Sequence, residues 1–289
     1  MATLIDLRRR IRSVRNSQKI TQAMKTVSTA KFRKAQRAVL EARPYWHLFP
    51  DLVGRLAAWA GREAHPLFAR REERRAEVVL IASDKGLAGA FNSNLFIRVQ
   101  AFLQEKEAAG VAPRLVVLGK KAVQVFRKQP WPLDRSRAEH TDKIQPEEIR
   151  ELAEFLMRLY VFQRTDAVYL VYNEFRSIIA PQMAVVRLLP IAGPEAGAAD
   201  GVAPDWEPEG PALLPSLLPR YVQSQLHHAL AESQAAEQAA RMMAMENATK
   251  NAEELISDLT LFLNKVRQAG ITKELLEIMT AVEALKQEA

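Results

Sequence analysis

The sequence predicts a mixed α/β fold, in which long helices at the two chain ends form an antiparallel coiled coil around an inserted α/β domain. Residues 2–43 contain neither Gly nor Pro. Residues 220–289 contain no Pro and a single Gly, Gly270. Between these segments, short Val-rich runs alternate with helical stretches. The predicted domains are an N-terminal coiled-coil helix at 1–60, a central α/β domain at 75–191, a surface linker at 192–215 and a C-terminal coiled-coil helix at 216–289.

The N-terminal helix carries a heptad seam that is apolar at both ends and polar or small in the middle. A helix of this length, at about 1.5 Å per residue, extends roughly 60 Å, which is too long for the core of a compact domain. It therefore needs a partner helix along its seam. The seam positions are Leu4, Leu7, Ile11, Val14, Gln18, Thr21, Lys25, Ser28, Phe32, Ala35 and Val39.

The C-terminal segment is the predicted partner, and it carries two apolar stripes that differ in phase by one residue. Gly270 lies between the stripes, and such a slip turns the apolar face of a helix or changes its supercoil. We expect the helix to pack on its partner before Gly270 and on something else beyond it. The first stripe is Ile256, Leu259, Leu263 and Val266, and the second is Ile271, Leu275, Ile278, Val282 and Leu285.

The middle of the chain predicts a Rossmann-like α/β domain. Four apolar runs at 77–83, 114–119, 166–172 and 183–189 have the length and Val content of strands. Helical stretches near 92–109, 120–128 and 146–163 separate the first three runs, which indicates a mostly parallel sheet with helices on its faces. The third stretch begins with Pro146, a residue that suits the first turn of a helix. Residues 192–215 are rich in Pro, Gly and Ala, and they predict a surface linker.

Charge is distributed unevenly along the chain. Residues 1–43 hold twelve basic and two acidic side chains, a net charge of +10, whereas the whole chain has a formal charge of +7. This imbalance favours an acidic partner, which is a nucleic acid, an anionic membrane or an acidic protein surface, and the alternative is a solvated helix face without a partner. A nucleic-acid-binding coiled coil predicts retention on DNA or RNA that depends steeply on salt, but Phe32 alone supplies an aromatic ring among the basic residues.

Residues that could carry catalysis or bind a cofactor are few. The chain has no Cys, which excludes thiol catalysis, cysteine–zinc sites and disulfides. Residues 83–92 follow a predicted strand and open a helix, where a phosphate loop would lie, but both G-x-G-x-x-G and the P-loop spacing are absent. None of the five histidines has the spacing of a metal site. A nucleotide-dependent enzyme remains an alternative, and it predicts that the isolated chain binds ATP or NAD.

Several segments together resemble the gamma subunits of bacterial F-type ATP synthases, in the order in which that family carries them. They are residues 11–31, 83–89, 172–175, 217–221, 237–252 and 264–274. The resemblance implies a non-catalytic rotor shaft, present once per three alpha–beta pairs, whose rotation changes the conformation of the catalytic sites. The α/β domain would be a foot that docks on the epsilon subunit and on the proton-driven membrane c ring. No cofactor, bound small molecule or nucleic acid is implied.

The resemblance also implies which residues meet these partners. Contacts with the alpha/beta hexamer are expected at Met24, Lys25, Arg267, Gln268, Thr272, Glu274 and Glu277. Contacts with the c ring or epsilon are expected at Tyr172, Phe175, Ser177 and Tyr221. Gly270 stands where the family more often has Ala or Ser, which predicts a softer tip of the shaft. The matching motif begins near Met1, with no transit peptide before it, so we expect a peripheral protein on the cytoplasmic face of a bacterial inner membrane.

Overall fold

The computed structural model of the chain describes residues 3–60, 65–138, 144–177, 182–192 and 210–287. These residues belong to two compact units. One unit combines the chain ends, Met1–Val27 and Met242–Ala289, and the other is the continuous segment Ser28–Arg241. Most of the predicted linker, residues 193–209, lies outside the described residues.

Five α-helices and five strands make up the described chain. The helices are α1 (Leu4–Ala60), α2 (Phe91–Ala108), α3 (Lys120–Phe126), α4 (Pro146–Val161) and α5 (Gly210–Gln287). The strands are β1 (Arg75–Ile81), β2 (Ala112–Leu118), β3 (Leu133–Arg137), β4 (Ala167–Glu174) and β5 (Gln182–Leu189). A short 3₁₀ turn, Pro66–Phe68, follows α1.

The strands form one sheet in the order β3-β2-β1-β4-β5. The first four strands are parallel, and β5 pairs antiparallel with β4 at one edge. This order confirms the predicted Rossmann-like layout, in which the chain reverses direction across the sheet beside β1. The strand β3 was not predicted, because its sequence Leu-Asp-Arg-Ser-Arg has no apolar run, as suits a largely solvated edge strand.

Both faces of the sheet are covered by helices, which explains why β1 is apolar along nearly its whole length. On one face, Val78 and Leu80 pack with residues of α2 and α3. On the other face, Val79 and Ile81 pack with α4 and with the parts of α1 and α5 that belong to the same unit. The α/β unit is therefore built in three layers.

The C-terminal helix begins earlier than predicted, so the last six residues of the proposed linker are helical. Leu214 and Leu218 are buried, and they continue with Val222 and Leu226 as one apolar stripe in the core. Burial of this stripe overrides the helix-breaking tendency of Pro215 and Pro219. Apolar spacing was therefore a better guide to this boundary than Pro and Gly content.

Candidate functional surfaces of the long helices

The two chain ends pair as antiparallel helices in their own compact unit. The Thr21 hydroxyl lies 2.8 Å from that of Thr249, and Lys25 Nζ lies 3.4 Å from Glu246 Oε1. Residue numbers therefore rise along α1 as they fall along α5, so the two helices are antiparallel. Both contacts fall on the predicted seam, and both are only partly shielded from water. Each contributes less than a buried pair would.

Within the unit of the chain ends, few side chains of this seam are fully buried. Leu7 and Ile11 are buried, whereas Val14, Gln18 and Thr21 are half-buried. The basic residues Arg8, Arg9, Arg12, Arg15 and Lys19 are exposed. The α1 side of the pair is therefore cationic, over a thin apolar contact.

The surroundings of α5 change at Gly270, as the phase of its stripes predicted. Ile256, Leu259, Leu263 and Val266 are half-buried. Beyond Gly270, large apolar side chains point into solvent, with exposed fractions between 47% and 68%. These are Ile271, Leu275, Leu276, Ile278, Met279 and Val282. An apolar stripe of this size on a helix end is typical of a surface that another molecule covers.

The loop that follows β1, at the carboxyl edge of the sheet where ligands bind to doubly wound folds, is held by a side chain of the chain itself. Arg241 of α5 is 7% exposed and donates to the Lys85 carbonyl at 3.3 Å and the Gly86 carbonyl at 3.2 Å. It also pairs with Glu237 at 2.6 Å. Gly119 closes β2 nearby, where an added Cβ would lie 2.3 Å from the Ala82 carbonyl oxygen. This packing disfavours the alternative of a bound nucleotide.

A second buried network joins three elements of the α/β unit. The Glu232 carboxylate accepts a hydrogen bond from the Phe175 backbone N–H at 3.0 Å. It lies 3.4 Å from His228 Nε2 and 3.5 Å from the Arg43 guanidinium. Burial opposes ionisation of Glu232, but the bonds from His228 and Phe175 and the charge of Arg43 bring its pKa below the usual value. Arg43 also donates to the Phe175 carbonyl, so α1, α5 and the end of β4 are held together.

The sequence is similar to known proteins along nearly its whole length. The family profile described as ATP synthase matches residues 3–285. The ATP synthase gamma chain of Anaeromyxobacter sp. strain Fw109-5 is 46% identical, over 99% of this chain and 100% of the relative. That of Aquifex aeolicus is 41% identical, over 97% of both chains. The chain belongs to the ATP synthase gamma-chain family.

Solved structures share the fold of this family member. A chain of the Euglena gracilis mitochondrial ATP synthase, in a structure of its OSCP, F1 and c ring, superposes with a TM-score of 0.68 and 21% identity. The superposition covers 98% of this chain and 94% of that one. A chain from the central stalk and c ring of the Tetrahymena thermophila enzyme gives a TM-score of 0.63 at 24% identity, over 79% and 99% of the two chains.

The residues expected to meet the alpha/beta hexamer lie on the helix pair. Met24 is half-buried, and Lys25 is engaged with Glu246. Arg267, Gln268 and Thr272 are exposed on α5 around the change at Gly270. Glu274 and Glu277 are exposed further on, and Glu277 lies 3.6 Å from Lys273.

The residues expected to meet the c ring or epsilon differ in how far their side chains are buried. Tyr172 and Phe175 are 4% and 7% exposed, so their side chains serve the chain's own core instead of presenting themselves to a partner. Phe175 packs edge-on against Phe32, with ring centroids 5.3 Å apart. Tyr221 is half-buried against Phe49, and burial raises its pKa. Ser177 is exposed.

The Glu232 network was missed in the sequence, although its spacing gave a signal. His228 and Glu232 are four residues apart on a helix, which places them on one face. His228 also stacks on Trp46 at 4.4 Å between ring centroids, so it packs within the unit. Among the described residues, no three His, Asp or Glu side chains are grouped as a metal site. Nor is any described helix both long and apolar enough to cross a bilayer.

Proposed function

We propose that this chain is the central rotor of a bacterial ATP synthase, transmitting proton-driven rotation of a c ring to the catalytic sites of the alpha/beta hexamer. The observation that carries this proposal is the helix pair of the chain ends. The α1 side of this pair is cationic, and the extension of α5 beyond Gly270 exposes an apolar stripe. Membership of the gamma-chain family supports the same role.

The chemistry of the helix pair suits a part that turns inside a sleeve. Exposed arginines attract acidic loops over several ångströms without interlocking with them, so contacts can be exchanged as the shaft turns. The apolar stripe on the tip of α5 would be covered by an apolar bearing surface. Arg267 and Gln268 lie where α5 leaves the seam, and they would form hydrogen bonds with a loop of a catalytic subunit.

We propose further that the chain is not itself catalytic. The loop after β1, where a phosphate loop would lie, is bound through its carbonyls by Arg241, which also pairs with Glu237. The α/β unit would instead be the foot, meeting the epsilon subunit and the c ring near Ser177 and Tyr221. Through the c ring, the chain would be peripheral to the cytoplasmic face of the inner membrane.

Reconstitution with the matching alpha and beta subunits tests the rotor proposal. We expect one copy of this chain per three alpha–beta pairs, measured by native mass spectrometry. Arg267→Ala and Gln268→Ala should change the ATPase rate of the complex by about tenfold or less, since each removes a hydrogen bond of roughly 1 kcal/mol. Arg98→Ala, which removes an exposed arginine of α2, is the control and should leave the rate unchanged.

Two results would contradict the proposal. A complex with another stoichiometry, or no complex, would remove the basis for a rotor. Equal effects of the Arg267 and Arg98 variants would show that the α5 residues do not act at a specific contact.

A further inference from the structure

The edge of the sheet where β1, β2 and β4 begin carries a surface that the rotor proposal does not use. The helix α4 ends here with a left-handed residue, Gln163, at φ 55°. The Arg164 N–H then bonds to the Leu159 carbonyl at 2.8 Å and the Gln163 N–H to the Tyr160 carbonyl at 3.1 Å. This pattern is a Schellman motif, which fixes the course of residues 161–164.

Six arginines are found in the segments that meet at this edge, in 70–75 and 158–164. Three of them are engaged by the chain itself. Arg71 donates to the Tyr160 carbonyl at 3.0 Å, Arg75 donates to the Gln163 carbonyl at 2.7 Å, and Arg74 pairs with Glu72. Asp166, which is buried, accepts hydrogen bonds from the backbone N–H groups of 74 and 75.

The other three arginines, Arg70, Arg158 and Arg164, are exposed and make no ion pair or side-chain hydrogen bond with the described part of the chain. The nearby acids are already engaged, Glu72 by Arg74 and Glu73 by Lys106 at 2.8 Å. These two acids are therefore not available to pair with Arg70, Arg158 or Arg164.

Apolar surface lies among these free guanidinium groups. Phe162 is 72% exposed, although the Schellman motif holds its backbone in place. An open groove of about 590 Å³ lies beside it, lined by Phe155, Arg158, Leu159, Phe162 and Arg164. The groove and the exposed phenylalanine on its fixed turn place apolar surface directly beside two free arginines.

We propose that this edge is a docking surface for an anionic phospholipid bilayer, with Arg158 and Arg164 on headgroup phosphates and Phe162 at the acyl boundary. Guanidinium groups pair with phosphate in a bidentate manner, and aromatic side chains prefer the boundary between headgroups and acyl chains. An acidic protein loop would match the arginines alone, whereas a bilayer surface matches the arginines and the phenylalanine together. The proposal rests on the proposed function in one respect, which is that the c ring brings the chain close to a membrane.

Binding of the purified full chain to vesicles tests this inference. Vesicles with 30% phosphatidylglycerol and vesicles of phosphatidylcholine alone are the two probes, at low and at physiological salt. We expect binding to the anionic vesicles only. The double variant Arg158→Ser/Arg164→Ser should weaken it by about 25-fold, because each basic residue near an anionic surface contributes roughly fivefold. Phe162→Ala should weaken it further and should abolish quenching by lipids brominated on their acyl chains.

The basic helix α1 also attracts anionic surfaces, so controls of equal charge and size are needed. Arg98→Ser/Lys120→Ser removes two exposed cations elsewhere in the same unit, and Phe262→Ala removes a phenylalanine that is 49% exposed on α5. Both controls should retain most of the binding. Equal losses in the test and control variants would overturn the proposal in favour of general charge attraction.

A different outcome would assign the same edge to a protein. If the Arg158/Arg164 variant bound vesicles normally but weakened association with the detergent-solubilised c ring, the lipid proposal would be wrong. Neither outcome affects the stoichiometry with the alpha and beta subunits, so failure of this inference is distinct from failure of the rotor proposal.

Discussion

Glu77 is an acidic side chain placed in the interior of the sheet. It is 1% exposed on β1, and neither carboxylate oxygen has a hydrogen-bond partner among the described residues. Burial, and then the neighbouring Asp134 carboxylate on β3, raise the pKa of Glu77 to about 8, while Arg114 on β2 partly offsets them. The folded chain therefore holds a proton that the unfolded chain releases near pH 4.5.

This proton makes stability depend on pH with a definite sign. A carboxyl whose pKa is raised by folding contributes fully below the unfolded value, and its contribution is lost as pH rises through the folded value. We expect the free energy of unfolding to fall by roughly 1.4 kcal/mol per unit between pH 5 and 8 from this group. Glu77→Gln should remove that slope, as measured by urea denaturation across this range. The exposed Glu107→Gln is the control, and a Glu77→Gln slope equal to that of the control would contradict the assignment.

The joint between the long helices and the sheet depends on Glu232. Its carboxylate is shared by α1, through Arg43, and by the end of β4, through the Phe175 N–H. Glu232→Ala should lower the free energy of unfolding by about 3 kcal/mol, because a buried N–H and a guanidinium lose their acceptor together. Thermal denaturation checks this value. Glu253→Ala, at an exposed position of α5, should cost less than about 0.5 kcal/mol, and equal losses would argue against the joint.

Elements with a strong period could be predicted from the sequence, and elements held by tertiary contacts could not. The seam from Leu4 to Val39 and the slip at Gly270 follow from spacing alone, because a helix must bury one continuous stripe. The strand β3 lacks such a stripe, since its edge position leaves its charged side chains in water. Pro215 and Pro219 hid the start of α5, and only its packing against the core explains a helix there. Tyr172 and Phe175 were assigned to a partner surface through the family resemblance, and a matching motif does not tell a core residue from an interface residue.

At the scale of the whole molecule, the chain ends form one compact unit although more than 200 residues separate them in sequence. Among its described residues, the buried apolar side chains on α1 are Leu7 and Ile11, whereas Ser28–Arg241 contains both apolar cores of the sheet. Regions with little buried apolar surface open at lower free energy. In hydrogen exchange of the full chain, we therefore expect amides of 4–27 and 242–270 to exchange together, and faster than those of β1, β2 and β4.

A single substitution can test whether the two units open separately or the whole chain opens as one cooperative unit. Ile11→Ala should accelerate exchange in both chain ends by about 30-fold, since removing a buried isoleucine side chain costs at least about 2 kcal/mol, and should leave β1, β2 and β4 unchanged. Ile5→Ala, at a position 68% exposed on the same helix, should change neither. Acceleration of the sheet to the same extent would mean that the chain opens as a whole. If the two helices of the shaft open together while the sheet stays closed, the shaft can deform under torque without unfolding the α/β foot.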